Sequence, residues 1–501
     1  MAANNVAAES SFVTIPATDY RAILNRLAAL QKRVELLESA QSAPSAQTVA
    51  KQSVPDQKTC GDDINYLYET IDNIETKQLR DKLNFGAELR SRVDNYTIKN
   101  FNFVDVATYK NNLRAGASYL EGAQNALVHR DQQNDNNNWF NRFRLTMQAQ
   151  VTDSIDFHGR MYTSNYWGDT DSGDIFFDRN QVFLSEKQQT FNVDRFYINW
   201  LPKGLPLPLA LTIGRQPATE GPPFSFKENT QRQSTYPALL FNGIADGIVA
   251  TVGLDKITHL ANNGLRLAYA KAYHSDNDSY MHPFPFIDDD EAQDANIFAA
   301  FFESEIPGLP DSLMVFSYAL LQDLPTTFFG PLQQTYQFKN DNIGDMNLWG
   351  VHLQAKNILE SNIDLFFSYA GNHSSPDRPT ELGLLSWGNT KSFTGHAFYA
   401  GLRYTFASDL FNEPKVGFEY NHGSRYWYSM TVGSPDPFNK LATRGSVYDF
   451  YYIQPVNKHM FFRFGFTRVS YDYTASGQYI GKPEPSGMTL NDLYLLMNIR
   501  F

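Results

Sequence analysis

Arginines at alternate positions of four short segments form the clearest charged pattern in the sequence, because they interleave with apolar residues. A period of two places such residues on one face of a β-strand. A row of guanidinium groups that faces a water-filled passage lowers the barrier for anions and raises it for cations. Alternatively, the same arginines pair with Glu88, Asp94 and Asp156 across the sheet and neutralise one another. The candidate pore-lining residues are Glu88, Arg90, Arg92, Arg142, Arg144, Arg160 and Arg195.

The elements that must position these residues are strands with one apolar and one polar face. Phe85, Leu89 and Val93 alternate with charged residues in the first such segment, and about sixteen segments follow the same rule as far as Phe501. The sequence therefore predicts an all-β membrane protein, an antiparallel transmembrane β-barrel of about 16 strands spanning residues 83–501.

The segments between the predicted strands alternate between short and long. Turns such as residues 152–154 and 307–310 alternate with long loops, including residues 96–138 and 217–245. Bacterial outer-membrane barrels have short periplasmic turns and long external loops, so this alternation supports the barrel independently of the strand pattern. The loop at 217–245 contains Lys227 and is a candidate for folding inward and narrowing the passage.

Composition excludes several other classes. Forty-two Lys and Arg against 54 Asp and Glu give a net charge of −12, which disfavours a nucleic-acid partner. Hydrophobic residues make up 42%, too many for a disordered chain, and the sequence contains no apolar run of about 20 residues that would form a spanning helix. G-x-S-x-G, H-E-x-x-H and P-loop motifs are missing from the sequence, and its histidines show no ligand spacing, so we expect no enzyme, metal site or cofactor.

Residues before the barrel have a helical period instead. We predict a flexible N-terminus at 1–19, coiled-coil helices at 20–39 and 60–82, and a linker at 40–59. The second helix places Ile64, Leu67, Ile71 and Ile74 on one seam for oligomerisation, with Cys60 at its start. An amphipathic helix packed on its own domain is the alternative interpretation. The first residues show no export signal, and we expect that one was removed from an exported protein.

The last residues of the sequence alternate between apolar and other side chains. Alternating apolar residues end on Phe501, which resembles the C-terminal signal that outer-membrane assembly machinery recognises.

Four segments resemble a putative-porin family of Gram-negative bacteria that is described as a domain of unknown function. They are LNFGAELR at 83–90, GSRYW at 423–427, DPFNKLATRG at 436–445 and YYIQP at 451–455. The resemblance implies a barrel in the outer membrane and supplies neither a substrate nor catalytic residues.

These observations lead to two functional hypotheses. The first is an outer-membrane porin for passive diffusion of small hydrophilic solutes or ions, favouring anions, with its N-terminal region in the periplasm and a trimeric assembly expected by analogy. The second is a plugged structural barrel whose coiled coil tethers the outer membrane to the cell wall or to periplasmic partners. An outer-membrane enzyme would need a cluster of carboxylate, His or Ser residues near the rim, which the sequence does not supply.

Overall fold

Sixteen antiparallel strands close into one barrel, in which each strand pairs with its chain neighbours and β1 pairs with β16. The computed structural model describes residues 83–117, 122, 125–167, 191–273, 294–325, 342–377, 391–408, 412–431, 438–474 and 483–501. This closed barrel confirms the predicted fold and strand number. The predicted coiled-coil helices at 20–39 and 60–82, and with them Cys60, Ile64, Leu67, Ile71 and Ile74, lie outside the described residues.

The strands are β1 (Leu83–Val104), β2 (Leu127–Thr152), β3 (Ile155–Tyr166), β4 (Asn192–Trp200), β5 (Leu209–Arg215), β6 (Asp246–Gly253), β7 (Gly264–Tyr273), β8 (Ala295–Ile306), β9 (Leu309–Pro325), β10 (Asn342–Ala355), β11 (Ile363–Pro376), β12 (Thr394–Thr405), β13 (Lys415–Gly423), β14 (Gly445–Pro455), β15 (Met460–Tyr471) and β16 (Thr489–Arg500). The helices are α1 (Val106–Arg114), α2 (Phe224–Lys227) and α3 (Asp255–Thr258), with 3-10 turns at Ile358–Glu360 and Lys440–Ala442. No helix in the described ranges is both long and apolar enough to cross a bilayer.

Side chains alternate between the two faces of the wall, as β14 shows. Its outward residues Tyr448, Phe450 and Tyr452 are 40%, 52% and 38% exposed, whereas Asp449 between them is 1% exposed and points inward. Closing the sheet pairs every strand edge, which is a condition for a sheet in lipid. An apolar outer face and a polar interior are the features of a transmembrane barrel.

The two ends of the barrel differ in their connections. At one end, the short-turn end, some neighbouring strands are joined by only two residues, as between β2 and β3. Pro307 and Gly308 form the two-residue turn between β8 and β9. Gly308 has a φ of +80°, a left-handed conformation that favours glycine in a tight turn. At the opposite end, the long-loop end, longer connections join the strands, such as the one between β5 and β6.

The loop predicted at residues 96–138 is wrong at both of its ends, because residues 96–104 continue β1 and residues 127–138 belong to β2. β1 has 22 residues and β2 has 26, and they pair from Leu83↔Ala149 out to Val104↔Leu127. In the outer part of this hairpin, β2 is polar on both faces, since residues 131–138 are all Asn, Gln or Asp. It therefore lacks the apolar alternation that identifies a strand in lipid.

The seam of the barrel lies between β1 and β16. Beyond the last paired strand residues, Ala87 donates its N–H to the carbonyl of Phe501 at 3.1 Å, and Phe501 donates to the carbonyl of Ala87 at 3.0 Å. The terminal residue thus takes part in closing the sheet.

Candidate functional site

The connection between β5 and β6 folds into the barrel. This first inner loop, residues 216–245, starts at the long-loop end and carries α2 into the interior, where Phe224, Phe226 and Lys227 are each 1% exposed. Beyond α2, Asn229 accepts a hydrogen bond from Lys415 at 2.6 Å, at the short-turn end of β13. The loop therefore runs through much of the depth of the lumen, as the inward-folding alternative proposed.

A glycine lets the two legs of the first inner loop approach each other. A Cβ atom added at Gly221 would lie 1.7 Å from the carbonyl oxygen of Tyr236. Nearby, Ala238 donates its N–H to the carbonyl of Pro222 at 2.9 Å. These contacts make the loop a compact hairpin-like insert.

The tip of the first inner loop is fixed by guanidinium groups of the wall. Glu228 forms ion pairs with Arg90 of β1 and, at 3.0 Å, with Arg463 of β15. Arg500 donates to the backbone carbonyl of Glu228 at 2.9 Å, and Arg403 donates to that of Phe226 at 2.8 Å. The wall thus holds both the charged side chain and the backbone of the tip.

A second carboxylate of the loop occupies the centre of the arginine cluster. Glu220 lies 2.6 Å from Arg144, 3.2 Å from Arg160 and 3.8 Å from Arg142. Glu88 accepts a hydrogen bond from Arg142 at 2.8 Å, which ties β1 to β2. Six of the seven predicted residues, all but Arg92, therefore form one network of ion pairs together with Glu220.

Arg92 lies apart from that network. Its guanidinium pairs with Asp94 at 2.6 Å and with Asp492 of β16 at 3.1 Å, across the barrel seam. Arg215, whose direction the alternation does not decide, is part-exposed and pairs with Asp246 at 2.9 Å. His158 contacts Asp156, which is therefore a partner of a histidine and not of the arginines.

Sequence reasoning missed three carboxylates of this site. Glu220 and Glu228 lie in a loop whose sequence has no regular period. Only the inward path of that loop brings these carboxylates to the arginines of the wall. Asp194 is an extra residue in β4, because the pairing of β3 and β4 shifts from Arg160↔Arg195 to Met161↔Val193. That bulge turns both Asp194 and Arg195 inward, and Arg160 donates to Asp194 at 2.9 Å.

Charge and burial act in opposite directions on the loop carboxylates. Burial raises the pKa of Glu220, but Arg144 and Arg160 outweigh it and hold the pKa well below its usual value. For Glu228, burial likewise raises the pKa, and Arg463 and Arg90 lower it further than burial raises it. Both carboxylates are therefore ionised at neutral pH.

The connection between β13 and β14 also turns inward. This second inner loop, residues 424–444, is described except for 432–437. The loop begins where β13 ends, at Gly423, and a Cβ there would lie 2.2 Å from the carbonyl oxygen of Thr443. Trp427 is 1% exposed and donates its indole N–H to Leu441 at 2.9 Å.

One wall carboxylate joins the two inner loops. Asp449 of β14 accepts hydrogen bonds from Lys227 of the first loop at 2.5 Å and from Lys440 of the second at 2.7 Å. Lys440 also pairs with Glu419 of β13. Asn242 donates its N–H to the carbonyl of Met430 at 2.9 Å, a second link between the loops.

Opposite the arginines, the interior is apolar. Leu239 and Leu240 of the first loop and Trp427 of the second pack in one cluster with wall residues of β8 to β12 such as Phe301 and Leu348. The first inner loop is therefore amphipathic across the lumen, with carboxylates toward β1 to β4 and aliphatic side chains toward β8 to β10.

A cavity of about 170 Å³ remains beside the loop, near the short-turn end. Its lining includes Glu88, Arg144, Glu228 and the C-terminal residues Arg500 and Phe501. Within the described ranges, no three His, Cys, Asp or Glu side chains come together as ligands for a metal ion.

The chain belongs to the family described as "Protein of unknown function (DUF3373)", which matches residues 131–497. This confirms the family resemblance over most of the barrel. Comparison with curated proteins finds no match.

Solved outer-membrane structures have a similar fold. OmpF of Salmonella typhi, in complex with daunomycin, is 9% identical, with a TM-score of 0.43 over 84% of this chain and 97% of OmpF. OprB of Pseudomonas putida is 13% identical, with a TM-score of 0.46 over 85% of this chain and 96% of OprB. OmpT of Vibrio cholerae, in its trimer form, is 10% identical, with a TM-score of 0.42 over 84% of this chain and 99% of OmpT.

Proposed function

We propose that this protein is an outer-membrane channel for passive diffusion of small hydrophilic solutes, narrowed by its two inner loops. The observation that carries the proposal is the charged inner face of β1 to β4 in a closed 16-strand barrel, where ion pairs hold the first inner loop. Barrels of 16 to 18 strands leave an aqueous passage, which side chains or inserted loops then narrow. The long-loop end faces outside and the short-turn end faces the periplasm.

The ion pairs change the expected selectivity. The six arginines of the predicted pore lining have six carboxylate partners, which are Glu88, Asp94, Asp194, Glu220, Glu228 and Asp492. Neighbouring charges of opposite sign cancel much of the field along a passage. We therefore propose weak ion selectivity in place of the anion preference that the arginines alone suggest. A trimeric assembly remains part of the proposal.

The second hypothesis, a plugged structural barrel, is favoured by the apolar packing of both inner loops against β8 to β12. A tether to the cell wall would depend on residues before Leu83, outside the described part. This alternative predicts a lumen that admits no solute.

Swelling of proteoliposomes in isotonic solutions of uncharged sugars tests the proposal. We expect swelling with the smallest sugars and a steep decline with solute size, because the loops leave only narrow space beside them. Liposomes without protein give the background rate. A correctly folded protein that produces no swelling above this background would support the plugged barrel.

A further inference from the structure

The cavity beside the first inner loop forms where β1 has no side chain on its inward face. Gly86 continues the inward period of Glu88 and Arg90, and it lies opposite Thr146 of β2 in the strand register. Thr146 points inward and is exposed, since the glycine beside it has no side chain to cover it. The space between β1, β2, β16 and the loop has a volume of about 170 Å³.

This volume limits the size of an occupant. An apolar cavity of about 150 Å³ holds benzene, a molecule of about six non-hydrogen atoms. The cavity beside the loop therefore has room for a solute of about six or seven non-hydrogen atoms. Three-carbon acids and polyols are of this size.

The described lining of the cavity has one more positive than negative charge. Its charged side chains are four arginines and three glutamates, namely Arg90, Arg144, Arg160, Arg500, Glu88, Glu220 and Glu228. The first three arginines each form an ion pair with one of the glutamates. Arg500 has no carboxylate as an ion-pair partner within the described ranges. A solute with one negative charge balances the excess at Arg500, and the glutamates disfavour a second negative charge.

Arg500 is held at the cavity in a position to receive a carboxylate. Its Nη2 donates to the backbone carbonyl of Glu228 at 2.9 Å, and its guanidinium lies 5.2 Å from the centre of the Phe461 ring. A guanidinium has five N–H donors, of which only this one is used in a hydrogen bond within the described part of the chain. The planar arrangement of these donors matches the two oxygens of a carboxylate.

The remaining lining combines neutral polar groups with apolar surface. Thr146, Thr230 and Gln233 have hydroxyl and amide groups that both donate and accept hydrogen bonds. Phe224 of α2 borders the same space with an apolar side chain. An occupant that matches this lining has a short carbon skeleton and a hydroxyl group in addition to its negative charge.

We propose that this cavity binds a small hydroxycarboxylate on its way through the barrel, with the carboxylate at Arg500 and the hydroxyl group at Thr146. These two residues stand on the strands on either side of β1, two strand spacings or about 10 Å apart. The arginine side chain and a three-carbon acid together span this distance. The inference names a class of solute for the proposed channel, and it rests on the proposed function only for the route by which the solute arrives.

Saturation-transfer NMR tests the site with solutes that differ in one group. Full-length protein in non-ionic detergent at pH 7 is titrated with lactate, with lactamide, which lacks the charge, or with propionate, which lacks the hydroxyl group. Empty micelles give the background. We expect lactate to bind about tenfold more tightly than lactamide and about fivefold more tightly than propionate, the factors for one charged and one neutral hydrogen bond. Equal affinities for lactate and lactamide would overturn the carboxylate contact, and equal affinities for lactate and propionate would overturn the hydroxyl contact.

A variant of Arg500 tests the assignment of the carboxylate. Arg500→Gln keeps an N–H donor for the carbonyl of Glu228, and it should weaken lactate binding about tenfold without changing lactamide binding. Arg425→Gln is the matched control, because Arg425 also donates to a backbone carbonyl, that of Pro483 at 3.2 Å, outside the cavity. Heat-shifted migration in electrophoresis reports folding. Lactate binding by folded Arg500→Gln that equals the unaltered protein would overturn the proposal.

A second variant tests the cavity itself. Thr146→Phe fills the space and should abolish lactate binding. Gln148→Phe is the control, because Gln148 is exposed on the same face of β2 and lies outside the lining. If Thr146→Phe does not fold, Thr146→Val removes only the hydroxyl group and should lower the affinity for lactate to that for propionate. Unchanged lactate binding in the folded variant would overturn the cavity as the site.

Two further results separate this inference from its alternatives. Displacement of lactate by an equal concentration of inorganic phosphate would overturn the assignment to a carboxylate. Sugar-induced swelling of liposomes with the same preparation tests the channel independently. Swelling without lactate binding would overturn the site and leave the channel, whereas lactate binding without swelling would support the site in a barrel that does not conduct.

Discussion

Glu228 connects the tip of the first inner loop to both sides of the barrel seam. It pairs with Arg90 of β1 and Arg463 of β15. Removing one partner of a buried ion pair leaves the other charge uncompensated, at a cost of about 3–5 kcal/mol when water cannot reach it. In the water-containing lumen proposed above, we expect the chain to relieve that cost by moving the loop.

We therefore expect Glu228→Gln to enlarge the passage. Single-channel conductance should rise above that of the unaltered protein, with more frequent changes of level as the tip moves. Glu360→Gln, in an exposed 3-10 turn, is the matched control and should leave conductance unchanged. Identical conductance in Glu228→Gln and the unaltered protein would show that the tip does not limit the passage.

The lowered pKa values of Glu220 and Glu228 determine how the loop responds to acid. A carboxylate whose pKa is lowered on folding stabilises the folded state above its ordinary pKa of 4.5, and this stabilisation is lost as pH falls through the lowered value. We expect conductance to stay constant from pH 7 to about 4.5 and to change only in stronger acid. Recordings over this range test it, and Glu220→Gln with Glu228→Gln should remove the acid transition. A transition near pH 6 would contradict the assignment.

At the scale of elements, the first inner loop depends on the close approach at Gly221. A Cβ there would meet the carbonyl oxygen of Tyr236, so Gly221→Ala must separate the two legs of the loop. Overpacking of this kind costs about 1–3 kcal/mol. We expect the barrel to fold and the loop to become sensitive to protease, measured by limited digestion in detergent. Gly487→Ala, where a Cβ has open space, is the control, and equal digestion of the two variants would refute the prediction.

The strands were predictable because their alternation reflects two different solvents. Phe450 and Tyr452 face outward and Asp449 faces inward, so the sequence of β14 itself shows the period of two. The outer part of β2 lacks this signal, since both of its faces are polar at residues 131–138. The inward direction of Asp194 was not predictable, because a β-bulge interrupts the period of two in β4.

The site was only half predictable, for a related reason. Arg90 and Arg144 stand on strands, where position fixes the face. Glu220 and Glu228 stand on a loop, whose path is determined by long-range contacts with those same arginines and with the apolar wall opposite. No local pattern encodes that path.

At the scale of the whole molecule, Phe501 extends the pairing between β16 and β1 beyond Arg500. Phe501 exchanges backbone hydrogen bonds with Ala87 across the seam, and the end of the chain resembles an assembly signal. We expect deletion of Phe501 to reduce the amount of assembled, heat-modifiable barrel in outer-membrane fractions. Phe501→Tyr keeps an aromatic ring and should assemble normally, and full assembly of the deletion variant would argue against the signal.

In the proposed function, the barrel conducts through a lumen narrowed by ion-paired inner loops. Planar-bilayer recording of purified full-length protein in a salt gradient measures conductance and reversal potential together. We expect small discrete steps and a reversal potential near zero, because the arginines have carboxylate partners. A folded protein without steps would contradict the channel and favour the plugged barrel, and strong chloride selectivity would contradict the charge balance.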